Sequence, residues 1–134
     1  MTPEQTLQVK ALRARSDHSE IFKYVIDHLR RQGTPSFSGH RAACAYRGDG
    51  ETMCAVGALI TDDEYNPIWE GNGINHLIEA QHLPPDLHES LAQHERMLLE
   101  LQNFHDDWLV YEDRSFNKFS EDRVAVLREK WSIQ

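Results

Sequence analysis

The sequence predicts a mainly helical α+β domain, with about four to six helices and one small antiparallel β-hairpin near residues 43–55. Three observations predict it. Apolar residues recur at helical spacing in Ile21, Phe22, Val25, Ile26 and Leu29, and again in Leu87, Leu91, His94, Leu98, Leu101, His105 and Trp108. Between these stretches, Gly48-Asp49-Gly50 supplies the turn of a hairpin. A chain of 134 residues, 40% hydrophobic, also fits one domain, residues 1–134, in which residues 1–15 form a peripheral N-terminal helix.

Thr2, Pro3 and Gln5 read as an N-cap, a first-turn proline and a capping box, so the first helix should run to about residue 14. Its apolar face, Leu7, Val9, Ala11 and Leu12, is thin, which predicts loose docking. Ser16 or Ser19 should cap the second helix and Gly33 should end it. Residues 34–39 read as an irregular connection into the hairpin. In a three-residue loop centred on Asp49, Arg47 faces Glu51, Tyr46 faces Thr52 and Cys44 faces Cys54. Two adjacent thiols there are compatible with a disulfide, half of a metal site or a packed apolar pair.

Residues 55–60 favour a short buried helix over a strand, because Ala55, Gly57 and Ala58 are small and β-branched residues are sparse. Thr61 and Glu64 fit a second capping box. Pro67, Gly71 and Gly73 break the next stretch into a loop that lays Trp69 on the core before a short helix from Ile74 to Ala80. Pro84 and Pro85 should open the longest helix, reaching about residue 111. After a turn over residues 115–120, Val124, Val126, Leu127 and Trp131 mark a final helix. The expected core joins the second helix, residues 54–60 and the leucine-rich stripe, with Trp69 and Trp108 largely buried.

Fourteen basic against twenty-two acidic side chains give a formal charge of −8, which opposes the phosphate-neutralising surface of a general nucleic-acid binder. Basic residues gather in the first third of the chain, among them Arg41 and Arg47, and leave room for a local positive patch. Acidic residues dominate afterwards; they suit a solvated exterior, a basic protein partner or imitation of DNA. No apolar run approaches the roughly 18 residues needed to span a bilayer, and the first residues lack the basic and apolar segments of a signal peptide. A cytoplasmic protein without membrane contact is expected, and there Cys44 and Cys54 would be thiols.

Four constellations bear on chemistry. Cys44 and Cys54 with His40 or His105 resemble half of a zinc environment, yet no Cys-x-x-Cys knuckle is present, and buried free thiols are the default. A nucleophile built from Cys44 or Cys54, His105 and Asp106 or Asp107 has the right residue types, but the setting of Cys54 looks buried and inert. Tyr46 and Arg47, with Arg41 nearby, could hold a phosphate or a partner carboxylate; the alternative is an Arg47 to Glu51 cross-strand pair. The adjacent acids, including Asp62-Asp63-Glu64 and Asp106-Asp107, diverge around a helix and serve as caps and solvated faces. Phosphate loops, serine-nucleophile elbows and calcium loops are not found, which disfavours those enzyme classes.

Tyr46-Arg47-Gly48, followed by Cys54-Ala55-Val56-Gly57-Ala58-Leu59-Ile60 and Asp63-Glu64-Tyr65, resembles a recurrent pattern in small phage and prophage proteins. Leu101-Gln102-Asn103-Phe104-His105-Asp106 is similar to their later Leu-Gln-x-x-His-Asp segment. The resemblance covers the middle two-thirds of the chain. It implies a viral accessory protein and supplies no catalytic residue or cofactor. The expectation is a non-enzymatic binding protein, such as a counter-defence inhibitor that blocks a host protein or sequesters a small anionic ligand. Arg41, Tyr46, Arg47, Asp63, Tyr65, Trp69 and His105 are the candidate binding residues. The alternatives are a thiol- or zinc-dependent hydrolase and an acidic DNA-mimic decoy. A homodimer through the first or last helix is compatible with the sequence.

Overall fold

The computed structural model describes every residue except 40–42, 80–82 and 110–112. Arg41, His40 and the expected ends of two helices, at Ala80 and near residue 111, lie outside the described residues. Among the described residues six α-helices run in order: α1 (Pro3–Arg15), α2 (His18–Gln32), α3 (Ile74–Glu79), α4 (Pro85–Gln93), α5 (Glu95–Leu109) and α6 (Lys118–Lys130). A two-stranded antiparallel ladder, β1 (Phe37–Ser38) and β2 (Ala43–Cys44), completes the mainly helical α+β architecture. No described helix is long and apolar enough to cross a membrane.

Local signals set the ends of α1 and α2. The Thr2 hydroxyl accepts from Gln5 N and the Gln5 side chain accepts from Thr2 N, closing the capping box. Gly33 ends α2 in the left-handed region, as expected of a C-terminal glycine. The N-cap of α2 is neither Ser16 nor Ser19 but Asp17, whose carboxylate accepts from Ser19 N and Glu20 N. A carboxylate there takes two orphan donors and also meets the positive end of the helix dipole. Contrary to the loose docking expected, α1 is pinned by a buried face of Val9, Leu12 and Arg13.

The hairpin expected over residues 43–55 does not form. Cys44 pairs with Phe37, not Cys54, and Ser38 pairs with Ala43. The turn at Asp49 closes with a single bridge between Gly48 and Thr52, after which the chain diverges. Side chains of α2 cause the divergence: Gln32 Oε1 accepts from Met53 N, while Gln32 Nε2 donates to Met53 O. On the other strand, Ala45 N donates to Ser36 O, extending the pairing with residues 36–38. Arg47 therefore does not meet Glu51, nor does Tyr46 pair with Thr52.

Residues 54–60 are all buried, and Gly57–Leu59 form a single 3-10 turn in place of the expected short helix. Thr61 and Glu64 form half of the expected box: Thr61 N and the Thr61 hydroxyl both donate to Glu64 Oε1, and one turn forms with no helix after it. The long helix expected from residue 84 is two, α4 and α5, separated at His94. At the break His94 leaves helical geometry, its N–H turning to Ala92 O and Ser90 O and its carbonyl accepting from Leu98 N, while Ser16 at the junction of α1 and α2 donates to Gln93 Oε1 and lies 3.3 Å from His94 Nε2. The stripe nevertheless faces inward along both helices, with Leu87, Leu91, His94, Leu98, Leu101, His105 and Trp108 all buried. Trp69 is buried as well. Of the apolar residues expected on the last helix, Val124 joins the core and Val126 faces outward.

Candidate functional site

The Tyr46-Arg47-Gly48 segment and residues 54–60 converge on one knot of backbone and side chains. Gly57 lies against Tyr46 so closely that a Cβ would sit 2.4 Å from the Tyr46 carbonyl oxygen, and a Cβ on Gly48 would sit 2.5 Å from Ser36 Oγ. Only glycine lets these segments touch. Arg47 then locks the contact. Its Nη1 donates to the carbonyls of Tyr46 and Gly57, its Nη2 to that of Ile60, and Nε and Nη2 lie 3.1 and 3.0 Å from Asp62 Oδ1. Of the five N–H groups of a guanidinium, four donate hydrogen bonds here, and Asp62 supplies the counter-charge. The same guanidinium sits 5.1 Å from the Tyr65 ring centre.

Glu70 closes the knot from the other side, accepting from Tyr46 N, Arg47 N and the Tyr65 hydroxyl. Tyr46 is buried and its hydroxyl donates to Asn72 O at 2.5 Å. Burial and the neighbouring Cys54, Cys44, Glu70 and Asp106 push the Tyr46 phenol up, so it remains a donor. Tyr46 and Arg47 thus hold the knot together, with most of the Arg47 N–H groups spent on internal acceptors.

His105 is buried on α5, away from solvent, and its Nε2 accepts from Ser36 N at 2.8 Å. That bond puts the proton on Nδ1, which donates to Asp106 Oδ1 at 3.1 Å. Burial pushes the Asp106 carboxyl up, but hydrogen bonds from His105, Gln102 and Cys44 outweigh it and hold the group below the usual carboxylate range. Cys44 is a free, half-buried thiol, pushed up to about 12 by burial and the Asp106 carboxylate. Cys54 is fully buried; its thiol is also driven upward by burial, and its Sγ accepts from Gly57 N. A nucleophilic cysteine needs the opposite setting, a lowered pKa and a base beside it. Among the described residues, no cluster of three or more His, Cys, Asp or Glu side chains could hold a metal ion.

Asp63, Tyr65 and Trp69, three of the candidate residues, come together in one groove of about 470 Å³. Pro67 and Pro84 add flat apolar walls, and Asp86 and Lys10 stand at the edge. Its floor is rigid. Tyr65 meets Trp69 edge to face with ring centres 6.4 Å apart, and the Asn66 side chain caps the Pro67–Trp69 turn by accepting from Ile68 N. Behind it, Arg13 of α1 is only 4% exposed and forks onto both oxygens of Glu64 at 2.7 Å, with further bonds to Leu59 O and Asp86. At the crest Ile68 is 75% exposed.

Asp63, Tyr65 and Trp69 therefore meet in the groove, Arg47 lines a separate cavity of about 920 Å³ with His28, Arg31 and Asp62, His105 belongs to the α5 network, and Arg41 lies outside the described residues. Sequence reasoning missed Arg13, Glu70, Pro84 and Asp86. The signal for Arg13 was present, since it follows Val9 by four residues and so shares the inward face of α1. No protein-family model, curated protein or solved structure matches the chain.

Proposed function

We propose that this chain is a non-enzymatic phage or prophage accessory protein, working in the host cytoplasm as a counter-defence inhibitor that binds and blocks a host protein. The observation that carries the reading is Ile68, a large apolar side chain held in solvent beside the groove by a turn fixed from behind. A side chain presented on a capped turn costs little backbone entropy to bind, and a few anchors that fill pockets on a partner carry most of the energy of an interface. The phage origin rests on the Tyr-Arg-Gly and Cys-Ala-Val-Gly resemblance. Sequestration of a small anion at Arg47 has less support, because four of its five N–H groups are taken by internal acceptors. The hydrolase reading is weakened by a Cys44 thiol at about 12 and by His105 Nε2 being engaged with Ser36.

The test is photo-crosslinking inside bacterial cells. Benzoylphenylalanine at position 68 should give one adduct of defined mass, and the partner so identified, once purified, should bind the protein stoichiometrically. The same probe at Val126, 67% exposed on α6, should not give that adduct. Identical adducts from both positions, or none from position 68, would contradict the reading. So would turnover of a nucleotide or peptide substrate that is lost on Cys44→Ser, Cys54→Ser or His105→Ala.

A further inference from the structure

We infer that the cleft between the end of α2 and the turn over residues 48–52 is an anion site, in which Arg31 forks onto a phosphate group with His28 beside it. The site stands apart from Ile68 and the groove, so neither reading depends on the other.

The cleft, of about 920 Å³, is of a size that small molecules fill. His28, Arg31 and Gln32 of α2 line it from one helical face, and Arg47 lines it as well. Its walls are fixed, because Gln32 bonds both ways to the backbone of Met53 and Gly48 bridges to Thr52. Two carboxylates share the lining. Asp62 is already taken, with Oδ1 on Arg47 and Oδ2 on the Met1 amino group, and Glu51 stands exposed. Arg31 is the open hand. Arg13, Arg15, Arg30, Arg47 and Arg123 each meet a carboxylate, whereas Arg31 makes no hydrogen bond, ion pair or ring contact among the described residues. The carbonyl end of α2 favours a basic residue in its last turn, and Arg30 already supplies one; Arg31 differs in facing the cleft.

His28 is the second donor. Its Nε2 lies 3.1 Å from Met53 O, which only accepts, so Nε2 carries the proton and Nδ1 is bare in the neutral ring. Burial holds the ring below its ordinary value against the pull of Met53 O, and the charges of Arg31 and Arg47 add to the lowering. An anion on Arg31 reverses that local field, so Nδ1 takes up a proton and joins the contact. Arg47 contributes charge and little else, since four of its N–H groups are spent on internal acceptors. Phosphate suits the pair better than carboxylate, because it brings up to two charges and three oxygens, enough for a planar fork and an imidazolium together. Free phosphate and a small phosphate ester share this chemistry.

The experiment titrates the ¹⁵N-labelled full chain with inorganic phosphate and, separately, with adenosine 5′-monophosphate, at constant ionic strength. Saturable shifts should centre on residues 28–34 and 50–53 and on the Arg31 side-chain N–H, and the His28 ring should titrate at higher pH with phosphate bound than without. Arg31→Gln should weaken binding about threefold or more and leave the melting temperature unchanged, because Arg31 has no internal bond to lose. Glu51→Gln should tighten binding by removing a like charge, and Arg128→Gln on the exposed face of α6 should leave it unchanged. The nucleotide should bind more tightly than the bare ion because its body occupies the cleft; equal binding would assign the site to free phosphate. The inference is overturned if no saturable shift centres on the cleft, if Arg31→Gln binds as well as the native chain, if His28 titrates alike in both states, or if the shifts around Arg128 match those around Arg31.

Discussion

Gly57 sets the terms at the scale of single residues. Because a Cβ would meet backbone atoms of Tyr46, which cannot swing aside, Gly57→Ala should destabilise by about 1–3 kcal/mol, seen as a lower urea midpoint at unchanged slope. An unchanged midpoint would mean the two segments are free to separate. Cys44 behaves differently from what its exposure suggests. With its thiol at about 12, only about 10⁻⁴ of it is thiolate at pH 8, so iodoacetamide should leave it unmodified in the native protein and label it rapidly in urea. Fast native labelling would restore a reactive thiol to the account. Arg47 shows why residue type alone misled: tyrosine, arginine and glycine beside a turn suit an anion site, and nothing in the local sequence shows that carbonyls at Gly57 and Ile60 will come round to fill the guanidinium.

Elements are held together by a few polar staples as much as by apolar faces. The pair of Arg13 with Glu64 joins α1 to the turn that forms the groove, and it is nearly dry. Removing one member strands a buried charge, so Glu64→Leu should cost about 3–5 kcal/mol, while the double change Arg13→Met with Glu64→Leu should regain much of that loss in thermal melts. A double variant as unstable as the single one would show that Arg13 matters through Leu59 and Asp86 instead. On α5, Leu98→Ala should cost about 2–5 kcal/mol through the cavity it opens, and an unaltered melting temperature would show that the stripe does not bear on the core. Helices were legible in the sequence because spacing and caps are local: Thr2 with Gln5, Gly33 and the stripe from Leu87 to Trp108 all carry their meaning within a few residues. The hairpin and the single long helix were misread for the opposite reason. Gln32 bonds to Met53 and Ser16 bonds to Gln93 across 21 and 77 residues, contacts that no local pattern encodes.

For the molecule as a whole, the half-buried His28 and the buried His94 set the response to pH. Burial lowers His28, opposed by its hydrogen bond to Met53 O and helped by the positive charges of Arg31 and Arg47; burial also lowers His94, helped by His18 and opposed by Asp17. The unfolded chain protonates near the ordinary imidazole value of about 6.5 while the native state resists, so this stability is present above that pH and is lost as pH falls below it. Glu64 and Asp106, held low in the fold, add a further loss below about pH 4.5. Approach to the isoelectric point near 5.4 relieves self-repulsion, but salt at about 0.15 M screens that effect more than it screens buried groups. Melting temperature should therefore decline from pH 7.5 to pH 5, and a rise would contradict the assignment.

The groove was half legible. Asp63, Tyr65 and Trp69 announce themselves as acid and aromatics in a loop, whereas Pro84 and Asp86 arrive from a distant helix entry that had a sufficient local explanation as a helix start. Tyr-Arg-Gly, Cys-Ala-Val-Gly and Gln-x-x-His-Asp are, on this account, one scaffold whose polar groups satisfy each other and leave the groove to meet a partner. Native-state hydrogen exchange tests that most directly. The amides of Tyr46, Arg47, Val56 and Gly57, bonded to Glu70, Gln102 and Cys54, should exchange only through global unfolding, with the same free energy and denaturant slope as the core of α5. Exchange of these amides through small local openings, well below the global stability, would make the pattern a mobile loop and contradict the account.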